Sequence, residues 1–551
     1  MPRKLHFGRL LSTTVVCALL LACAARVEPP TPSESEVLRA RVEQIRDDPS
    51  FAVFGAPIAA RQLVADFYAR RGFTRAWTAP GARDDLLLAV YESEADGLDP
   101  EDYLLSALLA ARMQGEAADA SLDVLVDYDL LQTEALIRLL YHLIFGKVDP
   151  KSLDPSWNFT RNVEFEDPTA FVQAFVDSGE LYARIEREKP QHEMYRNLKA
   201  ELARHRVIAS SGGWAAIPDG PTLKPGTLDP RVLDLRARLE VTAELPGAAP
   251  PDALVYDAAV AAAVSAYQAR HGIDADGALG PATLAALNAP IEAHIEAIRV
   301  NLERGRWLLR DLDSTFVVVN VAGFGVYYLR DGKVVWTSRA VVGMPYRETP
   351  VFRSMMTYLV LNPTWTVPPS ILAQDILPEQ RRDRTTLARK RLEVIDRDGR
   401  RVDESSIDWA SATPGNFPYM LRQQPGPDNA LGRVKFMFPN PHSVYLHDTP
   451  SKALFEKSER AFSSGCIRIE NPLELAELLL EGQDGWDRAA LESAIETGTT
   501  RTVGLARPVP VLVAYWTTWV DRYGALQHRP DIYGRDAKVA AGLDAPFSFR
   551  P

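Results

Sequence analysis

The sequence predicts a multidomain α+β protein, with helical modules first and a mostly-β domain last. Three observations carry this. At 551 residues the chain is long enough for three or four domains. Residues 51–290 place apolar side chains at near-helical spacing, punctuated by Gly and Asp-Pro pairs. From Ser314 onward the apolar runs shorten and become β-branched, bounded by Asp-Gly and Pro-rich turns. The hydrophobic fraction, 46%, suffices for buried cores. A net charge of −11 without long basic blocks argues against a nucleic-acid partner, because phosphate contacts need clustered Lys and Arg.

Residues 1–23 read as an export leader: Arg3, Lys4 and Arg9 precede an apolar run from Leu10 to Leu21. Leu20-Leu21-Ala22-Cys23 is similar to a lipoprotein box, which makes Cys23 the lipidated residue. Ala22-Cys23-Ala24 offers ordinary cleavage instead. Either exit takes the chain out of the cytoplasm. No later stretch is long and apolar enough to span a bilayer, so membrane contact is expected only through a lipid anchor. Residues 24–50, Pro- and Glu-rich at first, read as a tether.

Residues 51–210 predict a helical domain, with Leu130, Leu131, Leu136, Leu139, Leu140 and Leu143 on one long helix. After a Gly/Pro-rich connection, residues 228–290 predict three short helices, with Asp276-Gly277 as a turn and Gly280-Pro281 starting the last. Val260, Val264 and Tyr267 are expected in its core. Residues 291–313 form an amphipathic connecting helix. The last domain, 314–551, opens with the strand Thr315–Val321 and a hairpin turning at Asp331-Gly332. A polar, helical insertion covers roughly 368–425. Its run Arg381–Arg391 is either a solvated helix face or the cationic side of a lid.

The chemistry-bearing stretch is Ser443–Asn471. His447 ends a strand, and Cys466 follows 19 positions later (466 − 447) in the turn Ser463-Ser464-Gly465-Cys466. Cys17 and Cys23 lie in the leader, leaving Cys466 as the remaining thiol. A thiol nucleophile needs a neighbouring imidazole, which is expected to raise its thiolate fraction. Gly465 permits a sharp turn, so that N–H groups around Ser464–Cys466 could face an oxyanion. Ser463 could bond the imidazole or the turn. Arg468 steers a carboxylate or forms a structural ion pair. Tyr445, on the face of His447, lines a cleft or packs. No Ser-x-x-Lys tetrad, zincin helix or phosphate loop is present. The nine His are scattered without metal-ligand spacing, so neither metal nor cofactor is expected.

His447 followed by Ser463, Gly465, Cys466, Ile467 and Arg468 resembles the signature of the L,D-transpeptidase (YkuD-type) catalytic domain. Ser464 replaces its commoner His, as in the large periplasmic (YcbB-like) branch. Ala266-Tyr-Gln-Ala-Arg-His-Gly272, then Asp-Gly and Thr-Leu-Ala-Ala-Leu-Asn288, resembles the three-helix peptidoglycan-binding domain; a spacer that binds nothing is the alternative. The helical region resembles the scaffold of the large members, and the insertion their capping subdomain. The resemblance implies an enzyme that joins peptidoglycan stem peptides by 3–3 crosslinks. Cys466 would be acylated by a donor tetrapeptide, and the thioester passed to an amine of an acceptor stem. Hydrolysis of the same stems, or a non-catalytic wall-anchoring lipoprotein, are the other readings. The implied location is the periplasm of a Gram-negative bacterium, anchored by lipid to the outer membrane, near other cell-wall synthesis proteins.

Overall fold

The computed structural model describes residues 32–153, 166–245, 252–310 and 312–549. The leader and Cys23 lie outside them. The expected tether does not extend to residue 50. Helix α1, Glu34–Asp47, is fixed by a capping box between Ser33 and Glu36 and buries Leu38, Val42 and Ile45. Three apolar residues at helical spacing give this segment a face to bury, and it packs into the scaffold core.

The scaffold is built round α2, Leu122–Phe145, whose N-terminus is capped by Ser121 and whose middle is buried on every side. A short two-stranded ribbon, Ala52–Val53 with Ala56–Pro57, joins the helices. Helix α3, Glu193–Ser210, closes the domain. The next unit holds α4 (Arg231–Val241), α5 (Ala258–Arg270) and α6 (Pro281–Leu287). It has its own core, in which Val260, Val264 and Tyr267 are buried as expected.

Helix α7, Ile291–Leu308, is the strut between modules. Arg306 is fully buried and donates to Glu303 (2.8 Å), the carbonyl of Asp96 (2.8 Å) and the Tyr195 hydroxyl (3.0 Å). A guanidinium satisfied on several sides can be buried without a stranded charge. On its other side Arg304 pairs with Asp536 at 2.7 Å.

The last domain is one sheet of nine strands: β1 Phe316–Asn320, β2 Gly325–Arg330, β3 Lys333–Gly343, β4 Phe352–Leu361, β5 Val434–Met437, β6 Leu446–His447, β7 Ala461–Ser463, β8 Ile467–Ile469 and β9 Arg501–Ala514. They run in the order β7-β3-β8-β6-β5-β4-β9-β1-β2, and β2 also pairs with β3, closing the sheet on itself. Strand β1 is buried on both faces. Val317 and Val319 enter the domain core, while Phe316 and Val318 join the scaffold core, the period-2 alternation of a strand covered twice. Helices α8 (Pro472–Leu480) and α9 (Arg488–Glu496) cover the inner core.

A further expectation needs correcting. The insertion is not simply helical. It holds a three-stranded sheet, Trp365–Thr366, Met420–Gln423 and Leu392–Ile395, over a small core of its own that includes Leu377, Leu387, Trp409 and Leu421. Its strands span two to four residues, too short to show alternation. Near the end of the chain α10, Asp536–Asp544, packs against α7, and Lys147 of the scaffold donates to the Leu543 carbonyl at 2.7 Å.

Candidate active site

The β5, β6 and β8 strands lie side by side and set the site. Strands β6 and β8 pair in parallel, Leu446 with Ile467 and His447 with Arg468. The Ile467 N–H donates to the Tyr445 carbonyl at 3.1 Å, which brings Cys466 beside Tyr445. Strand β5 pairs antiparallel, with Lys435 opposite His447. Side chains of registered residues point to one face of a sheet. Lys435, Tyr445, His447, Cys466 and Arg468 therefore share a face. Tyr445, His447, Cys466 and Arg468 border a cavity of about 580 Å³ that also reaches Trp365 and Pro368 of the insertion.

The Cys466 turn is tightly bonded. Gly465 has φ +111°, which favours glycine. The Ser463 hydroxyl donates to the Cys466 carbonyl (2.6 Å) and accepts from the Gly465 N–H (3.1 Å). Ser463 thus bonds the turn rather than the imidazole. The Gly465 N–H is engaged within the turn, which removes it from the expected oxyanion donors. Thr349 donates to the Gly465 carbonyl at 2.9 Å. Ser464 is exposed, and its hydroxyl accepts from Arg347 at 2.9 Å. Arg347 also clasps both oxygens of Asp375 in the insertion, at 2.6 and 2.8 Å. One guanidinium therefore links the insertion to the Cys466 turn, a bidentate contact of the stronger kind. No sequence pattern announces it, since its partners lie 28 and 117 positions away.

His447 is buried, and its Nδ1–H donates to the Asp448 carbonyl at 2.5 Å. That bond fixes the tautomer and leaves Nε2 as the basic nitrogen. The Asp448 carboxylate braces the hairpin below, accepting from the Arg433 N–H at 2.8 Å and Lys452 at 2.6 Å. Gly432, at φ +59°, is packed so closely that a Cβ there would lie 2.3 Å from the Asp448 carboxylate.

Electrostatics correct the expectation of a resting thiolate. Burial lowers the His447 imidazole to about 3, with the Arg468 and Lys435 charges adding to it. Burial also raises the Cys466 thiol, opposed by the neighbouring Tyr445 and by the Lys435 and Arg468 charges. The sulfur itself lies 3.7 Å from the Ser443 carbonyl. The resting pair is thiol and neutral imidazole, because both ions are desolvated. The surrounding cations and donors then favour negative charge on sulfur once it forms. Lys435 stands 3.9 Å from the Tyr445 ring centroid, a cation–π contact that holds both in place. Lys435 was not foreseen from sequence, although the strand alternation of Val434–Met437 puts it on one face with Met437. Arg468 has no carboxylate partner among the described residues, and its Nε is buried without a hydrogen-bond partner, which tells against a structural ion pair.

Fold and site together define a β domain whose free Cys466 and neutral His447 line one cavity, the residue types used in cysteine acyl transfer. Comparison with known proteins matches three parts of the chain to known domains. Residues 314–503 match the YkuD model, described as the L,D-transpeptidase catalytic domain. Residues 62–202 match a scaffold domain, and residues 229–287 a "Putative peptidoglycan binding domain". The chain carries a YkuD-type L,D-transpeptidase catalytic domain together with a peptidoglycan-binding domain. Over 223 residues it is 36% identical to the "Putative L,D-transpeptidase" of Haemophilus influenzae, a match covering 40% of this chain and 45% of that protein. The chain therefore spans less than half the length of that curated relative. Among solved structures, the L,D-transpeptidase of Xylanimonas cellulosilytica is 15% identical, with 54% of this chain and 99% of that one covered and a TM-score of 0.17. The L,D-transpeptidase (Yku) of Stackebrandtia nassauensis is 13% identical, with coverage of 54% and 96% and a TM-score of 0.22. Scores this low have no bearing on the fold.

Proposed function

We propose that this protein is an exported cysteine acyltransferase that forms 3–3 crosslinks between peptidoglycan stems. The observation that carries the reading is the placement of His447 on β6 and of Cys466 in the turn that enters the paired strand β8, both lining one cavity within the matched catalytic domain. As the thiol attacks the donor tetrapeptide carbonyl, its proton passes to His447 Nε2. The tetrahedral intermediate then collapses, the S–C bond remains, and the C–N bond to the terminal D-Ala breaks. His447 returns the proton to the leaving amine. An acceptor-stem amine attacks the thioester, gives up its proton through the same imidazole, and releases the thiol. Lys435, Tyr445 and Arg468 stabilise negative charge on sulfur, and Arg468 is placed to meet a stem carboxylate.

The domain at 229–287 would hold the enzyme to its polymer, and the clasped insertion would limit water entry. The location is the periplasm of a Gram-negative cell, with Cys23 lipidated and the outer membrane as anchor, in keeping with the large periplasmic branch. Isolated sacculi incubated with the protein and analysed as muropeptides by mass spectrometry should gain 3–3 dimers. Shortened stems with no new dimers would make it a hydrolase, and unchanged sacculi a non-catalytic wall protein. The same thiolate should open a carbapenem ring. Intact mass should show one adduct, on the Cys466 peptide; an adduct on serine would overturn the nucleophile.

A further inference from the structure

The histidines that look scattered in sequence are gathered in space. His205 on α3, His294 on α7 and His528 on the strand Leu526–His528 each offer a nitrogen within 4.8 Å of the others. They come from the scaffold, the strut and the catalytic domain, and His271 of the small helical domain stacks on His528 with ring centroids 5.1 Å apart.

One pair of the trio, which can also share a hydrogen bond, already stands at the spacing of two ligands on one ion. His294 Nδ1 and His528 Nε2 are 3.3 Å apart. Two imidazole nitrogens bound tetrahedrally at about 2.0–2.1 Å from one ion stand roughly 3.3–3.4 Å apart. His205 Nδ1 bonds the Glu201 carbonyl at 2.8 Å, with the Glu201 carboxylate 3.5 Å away, so Nε2 is left as its donor atom. His528 Nδ1 is bonded to Thr518 at 3.1 Å, which orients its Nε2. Carbonyl, carboxylate and hydroxyl groups behind metal-binding imidazoles play this orienting part in known sites. His205 and His294 are buried. Closing the widest spacing, at most 4.8 Å, takes up to roughly 1.5 Å of side-chain movement.

We propose that His205, His294 and His528 bind one transition-metal ion of the zinc class, which pins the scaffold, the strut and the catalytic domain together. Three imidazoles with no carboxylate in the first sphere suit zinc, copper or nickel rather than calcium or magnesium. His271, whose Nε2 is buried without a hydrogen-bond partner, stands next to the site as a further donor.

The test uses the full chain carrying Cys466→Ala, so that the thiol cannot bind metal. After chelator treatment, titration with Zn²⁺ should show about one ion per chain, and Co²⁺ should give the visible absorption of a tetrahedral site. Zn²⁺ should raise the melting temperature. His294→Gln and His528→Gln should each weaken Zn²⁺ binding by at least about tenfold, and His205→Gln gives a third arm should either misfold. Absence of Zn²⁺ binding by the parent below about 100 μM overturns the proposal, as does binding unchanged in folded variants.

Discussion

The catalytic cleft and the histidine junction hold imidazoles of the same acidity with opposite prospects. His447 and His294 are both lowered to about 3 by burial. What differs is the company of the free nitrogen. In the cleft, His447 sits among Lys435, Arg468 and the thiol of Cys466, and it borders a cavity large enough for a peptide. At the junction, His294 meets other imidazoles within the packed interface of three modules. Burial alone therefore makes a neutral base. A proton donor and a cavity turn that base toward acyl transfer, whereas converging lone pairs turn it toward an ion.

The largest test removes the proton donor. Cys466→Ala should abolish muropeptide products altogether while melting cooperatively; turnover near the parent level would end the comparison. Removing the base instead, His447→Ala should cost about 10²- to 10⁴-fold in acylation rate, measured as carbapenem adduct formation by intact mass. Next comes the cationic surround. Lys435→Met should move the pH midpoint of Cys466 alkylation upward by roughly half a unit to one unit, because a charge that favours thiolate is lost. A downward move would assign Lys435 the reverse role.

Acid stability gives a smaller effect with a definite sign. His447 has a folded value depressed to about 3 against an unfolded value of about 6.5. Its contribution is fully present above pH 6.5 and is lost as pH falls from there toward 3, by about 1.4 kcal/mol per pH unit for one proton. Denaturant unfolding at pH 7, 6 and 5 should therefore show a shallower acid decline in His447→Ala than in the parent. Equal slopes would mean the ring is not held neutral. Smallest of all, Arg347→Ala unclasps the insertion and should lower stability by on the order of 0.5–1 kcal/mol, read by differential scanning calorimetry.

The sequence made the catalytic pair legible because a His-terminated strand and a Gly-Cys turn are local patterns. It also showed the α5 core, where Val260, Val264 and Tyr267 follow helical spacing. Lys435 and Arg347 were not legible, since their meaning depends on register and on a clasp between distant segments. The trio of histidines was hidden for the same reason: its members lie on three elements that α7 brings together. The resting charge state was also misjudged, because proximity of Cys and His says nothing of how deeply both are buried. Helix α1 could have been found. Ser33 and Glu36 spell a capping box, but the surrounding Pro and Glu made the stretch look like a linker.

The parallel pairing of β6 with β8 has a consequence for how this enzyme type can change. The distance between base and nucleophile is set by ladder bonds at Leu446, His447, Ile467 and Arg468, not by the chain that joins them. The connecting segment loops out through the exposed residues Lys457 and Glu459 and returns along β7. Its length is consequently free to drift, and extra residues inserted near Glu459 should leave the reacting atoms where they are. A His-to-Cys count is therefore a poor yardstick of kinship, and that loop is a natural place to graft a recognition segment or a reporter without touching the chemistry.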